Sequence, residues 1–117
     1  MGLDAHVLRR GVVSENCSVL TDCIVRKRLG NIAMVGFLRE QVGRLPDAES
    51  LFPIILNRVI HNGVHAGDEI AVSDVPQLKT ELEVLAKMES DKDVQNFICA
   101  MHELCDASLM TENPIVF

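Results

Sequence analysis

The chain has 117 residues, 48% of them hydrophobic, with four Phe and neither Tyr nor Trp, which fits one domain with an aliphatic core. A net charge of −6 with so few rings argues against nucleic acid as a partner, because strands are held by Lys and Arg on phosphates and by bases stacked on aromatic side chains. No run approaches the ~20 apolar residues of a membrane span, and Asp4, His6, Arg9 and Arg10 interrupt any apolar leader; the expectation is a cytoplasmic protein without membrane contact, whose Cys17, Cys23, Cys99 and Cys105 stay reduced.

In chain order, Leu3, Ala5 and Val7 alternate with Asp4 and His6, the period of a first strand. Gly11 ends or bulges it, and residues 14–18, SENCS, read as a turn. Residues 19–29 fit either element: Val19, Leu20, Ile24 and Val25 have helical spacing, but β-branched residues also suit a strand. Asn31 is an N-cap candidate for a largely buried helix on Ile32, Val35, Leu38 and Val42, ended by Gly43 with Pro46 beyond.

Residues 51–60, LFPIILNRVI, form an apolar run of core-strand length, with a helical turn as the alternative near Pro53. In HNGVHAGDEIAVSD, Asn62-Gly63 and Gly67-Asp68 are turn signals, and Ile70 and Val72 mark a short extended stretch. Asp74 and Gln77 then have capping-box spacing for a helix with Pro76 in its first turn. Val75, Leu78, Leu82 and Leu85 form its buried stripe, and Lys79, Glu81 and Glu83 are expected to face water. After the polar ESDKD, residues 92–109 give an amphipathic helix on Val94, Phe97, Ile98, Met101, Leu104, Cys105, Ser108 and Leu109. TENP ends it, and the tail Ile115-Val116-Phe117 is expected to pair as a strand. The sum is an α+β fold: a single domain, residues 1–117, with a small β-sheet packed against about three main helices.

Catalytic and metal patterns are weak. His61 and His65 have ligand spacing, but Gly63 and Gly67 break the helix that would aim both at one ion, and Asn62 stands where a zincin places its glutamate. Of Cys99, His102 and Cys105, the two cysteines would fall on different sides of a helix at ~100° per residue, and packing explains Cys105. There is no G-x-S-x-G elbow, Walker loop or EF-hand pattern. The expectation is no enzyme activity, cofactor or metal. Charge is uneven: residues 1–60 carry eight Lys/Arg and six Asp/Glu, residues 61–117 three Lys and eleven Asp/Glu. An acidic half keeps a protein soluble, and it also steers a basic partner.

Three stretches, RLGNIAMVGFLREQV, HNGVHAGDEIAVSDVPQLKTELEVL and HELCDASLMTENPIVF, together with the MGLDAHV start, resemble a family of small bacterial immunity proteins of polymorphic-toxin and contact-dependent inhibition systems. The resemblance implies an α+β protein without catalysis that binds and neutralises a cognate toxin domain in the cytoplasm. It transfers no binding residues. Many such toxins are basic nucleases, so the charge pattern makes Asp68, Glu69, Asp74, Glu81 and Glu83 the expected contacts. The rival readings are a small metal-dependent enzyme using His61, His65 and nearby acids, and a homo-oligomeric structural or adaptor domain.

Overall fold

Alternation along Gly2–Leu8 produces the strand expected of it, β1: Leu3, Ala5 and Val7 are buried, while Asp4 and His6 on the opposite face are half-buried. A computed structural model describes residues 2–8, 23–61 and 68–117; the readings of Gly11, Cys17, the 14–18 turn, Val19, Leu20 and the turns at 62–67 lie outside these residues. The ambiguous stretch resolves into a second strand, β2 (Cys23–Asn31), antiparallel to β1. Its register slips at Leu29 and at Ile24, each an extra residue on β2, and such bulges increase the twist of a strand.

Helix α1 (Ile32–Gly43) follows at once, with the Asn31 side chain accepting the Met34 N–H at 2.8 Å as its N-cap. Expected to be largely buried, α1 buries only Leu38 and Val42 fully, and Ile32 is 72% exposed. A short helix α2 (Ala48–Leu51) comes next, then a π-helical turn (Ile55–Val59) closed by the Ile60 N–H on the Ile55 carbonyl at 2.9 Å. The expected core strand over 51–60 is therefore corrected to helix. The reason lies in its burial: Phe52, Ile55 and Val59 point inward at helical intervals, while Asn57 and Arg58 face water.

Of the short extended stretch expected on Ile70 and Val72, Ile70 lies in strand β3 (Glu69–Ile70), while Val72 is corrected to helical turn. A 3-10 turn (Val72–Asp74) leads into α3 (Val75–Met88), whose Val75, Leu78, Leu82 and Leu85 form the buried stripe. The capping box is corrected: Asp74 makes no cap hydrogen bond, and both side chains are engaged elsewhere. Helix α4 (Lys92–Thr111) is capped by Asp91, which accepts from the Asp93 and Val94 N–H groups. Its expected stripe is buried except Leu109, which is 40% exposed.

Glu112 takes a left-handed conformation (φ 61) and stops α4. Asn113 then donates from Nδ2 to the Leu8 carbonyl at 3.0 Å, and the Ser108 hydroxyl donates to the Asn113 carbonyl. These bonds aim the tail at the sheet, where Ile115–Val116 forms β4, the closing strand expected from the sequence. The four described strands are antiparallel in the order β2-β1-β4-β3. With three main helices on the core side, the fold is α+β. Ala5, Val7, Ile70 and Ile115 share one apolar cluster with Leu38, Leu82, Met101 and Leu104, each large aliphatic side chain contributing ~1.5–3 kcal/mol by leaving water.

Candidate partner-binding surface

The acidic residues at β3 are held by contacts from distant parts of the chain. The Arg58 guanidinium, at the end of the π-helical turn, donates to Asp74 Oδ2 at 3.0 Å and to the Glu69 carbonyl at 2.9 Å. A planar fork suits two acceptors at once. On the other side the Phe117 N–H donates to the Asp68 carbonyl at 2.9 Å, and Glu69 and Ile70 pair with Val116 and Ile115. The backbone beneath these carboxylates is thus tied to two distant segments, the π-helical turn and the C-terminal tail, while the Asp68 and Glu69 side chains stay exposed. His61 Nε2 lies 3.6 Å from Asp68 Oδ2, an attraction present when the imidazole is protonated.

Asp74 is half-exposed and spends part of its charge on Arg58. Glu83 is exposed on α3 near the Lys79–Asp106 ion pair, whose N–O distance is 2.9 Å. Glu81 is a correction. Expected to face water and a partner, it is 1% exposed. Its Oε1 accepts the N–H groups of Ile54 and Ile55 at 3.0 and 3.1 Å, and Gln77 donates to Oε2 at 3.4 Å. The first turn of a helix has N–H groups without intrahelical acceptors, and Glu81 supplies the acceptor from another helix. Burial pushes its carboxyl above the ordinary glutamate range, against the pull of these hydrogen bonds. A buried carboxylate occupied in this way offers a partner nothing.

Arg58 is the member of this surface that sequence reasoning missed. Its signal was a lone cation in an apolar run just before the acidic stretch. For metal, among the described residues no three His, Cys, Asp or Glu side chains cluster closely enough to hold an ion; His65 lies outside those residues. Cys99 is exposed and Cys105 buried, so they do face different sides of α4. Burial raises the Cys105 thiol to about 12, which keeps it protonated and unreactive. Cys99 and Cys105 are free thiols. Among the described residues no helix is long and apolar enough to cross a membrane. No family model, curated protein or solved structure matches the chain.

Proposed function

We propose that the protein is an immunity protein that binds and neutralises a cognate toxin domain, with the acidic β3 edge as a contact surface. One observation carries the reading: Asp68 and Glu69 are exposed carboxylates on a backbone fixed by Arg58, Phe117 and β4. Charges ordered before binding lose little conformational freedom on association, and opposite charge speeds encounter. A basic toxin domain is the partner this surface suits. Glu83 extends the acidic field along α3, Asp74 contributes through its Arg58 pair, and Glu81 has no part in it. The proposed role needs no cofactor or catalytic residue of the chain's own.

The test is the neighbouring gene. Where a large exported protein with a variable C-terminal domain is encoded beside this chain, that domain is expressed with and without it. Rescue of growth together with a one-to-one complex supports the reading. A toxic domain that this chain neither binds nor suppresses overturns it.

A further inference from the structure

The opposite edge of the sheet has the other charge. β2 pairs with β1 on one side and, among the described residues, has no strand on its outer side. Its centre is Arg26-Lys27-Arg28 in a chain of net charge −6. Lys27 turns to the core side and meets Glu103 of α4 at 2.6 Å. Arg26 and Arg28 are exposed on the other face, beside His6 and Asp4. Arg28 is 3.9 Å from Asp4, and Arg26 has no carboxylate partner among the described residues. On the core side, the C-terminal half of β2 borders a groove between α1 and α4. Leu29, Met34, Phe97 and Ala100 supply its apolar lining, and Arg28, Asn31, Asp93 and Asn96 its polar part.

We infer that the outer edge of Val25–Arg28 in β2, which no described strand covers, is a docking strand for an extended segment of another protein in which acidic and apolar side chains alternate. An exposed edge offers unpaired backbone N–H and C=O groups to a further strand, and side chains of an added strand alternate between faces. On the outer face they meet Arg26 and Arg28, which acids satisfy. On the core side they meet Val25 and, where β2 continues past Arg28, the groove, which apolar groups fill. The bulges at Ile24 and Leu29 bracket Val25–Arg28 as the regular stretch where pairing is unbroken. A second copy of this chain is the wrong occupant. Antiparallel self-pairing about Lys27 would set Arg26 against Arg28 of the other copy, and like charges directly opposite are destabilising. The inference does not rest on the toxin reading, which concerns β3 at the far edge.

The probe is a capped, dye-labelled peptide of about six residues alternating Glu and Val, a common strand length. Its controls are a block arrangement of the same residues and a version with Lys for Glu. The full chain is titrated by fluorescence anisotropy and followed by amide NMR. The alternating peptide is expected to bind with shifts centred on Val25–Arg28, and Arg26→Glu with Arg28→Glu to weaken it about tenfold while favouring the Lys version. N-methylating the peptide along one edge removes its ladder donors and should abolish binding; methylating the other edge should not. This arm leaves the protein unaltered, so misfolding cannot mimic it. Equal binding of alternating and block peptides, no binding, indifference to methylation on either edge, or self-association of the chain through β2 would each overturn the inference.

Discussion

Glu81 accepts the backbone N–H of Ile55 at 3.1 Å from inside the core, and the neighbouring Ile54 N–H at 3.0 Å. One carboxylate on α3 thus closes the first turn of a helical segment 26 positions earlier in the chain. Removing it leaves two donors without their acceptor and a void where the side chain was. Glu81→Ala should cost ~2–4 kcal/mol, from unsatisfied donors and lost packing. Glu81→Gln retains an oxygen acceptor and should cost less than half as much. Urea denaturation of the three proteins measures both, and an alanine variant as stable as the parent would remove this role.

The same residue sets a pH dependence. Its carboxyl is raised by burial in the folded state, so between the unfolded and folded values the native protein holds a proton that the unfolded chain has released. The contribution is complete below the unfolded glutamate value and is lost as pH rises through the folded one. Stability of the parent should therefore fall relative to Glu81→Gln as pH climbs across that window. Parallel stability–pH curves would contradict the assignment.

Arg58 ties Asp74 and the Glu69 carbonyl to the π-helical turn. Because the Arg58–Asp74 pair is more than 40% exposed on both sides, Arg58→Ala should cost only ~1 kcal/mol of global stability. Its larger effect should be local: amides of the two-residue β3–β4 ladder should exchange faster with solvent, while those of α4 keep their protection. Hydrogen exchange read by mass spectrometry separates the two.

Gly30 joins β2 to α1 with φ 150, and a Cβ there would lie 2.6 Å from Met34 Cγ. Gly30→Ala must strain the backbone and displace Met34. A loss of ~1–3 kcal/mol is expected, together with altered NMR signals for Met34 and Phe97, which line the groove beside β2. An alanine that leaves the denaturation midpoint unchanged would show that the turn relaxes freely.

Asp68→Lys with Glu69→Lys reverses the exposed charges of β3 without touching a buried side chain. Association with a basic cognate toxin domain should slow by about tenfold or more at low salt, with a flatter salt dependence and an unchanged melting temperature. Glu49→Lys, a reversal in the basic half of the chain, serves as the control and should change the rate far less. Equal rates for all three proteins would exclude β3 as the steering surface.

Local pattern sufficed wherever an element's own residues sort into two faces. The alternation of Leu3, Ala5 and Val7, the stripes of α3 and α4, the Asn31 cap and the pairing of the apolar tail follow from period, capping chemistry and the need to bury a hydrophobic end. So did the acidity at Asp68 and Glu69. Tertiary structure decided what depends on a partner far along the chain. Residues 51–60 are apolar almost throughout, so strand and helix were both open until Phe52, Ile55 and Val59 turned inward together. Asp74 has the spacing of a cap, yet its carboxylate goes to Arg58, a charged acceptor for a charged donor. Glu81 resembles its neighbour Glu83 as a letter, but it faces the unpaired N–H groups of another helix while Glu83 faces water. Periodicity reports which side of an element avoids water; it carries no information about a buried hydrogen-bond donor waiting on the element packed against it.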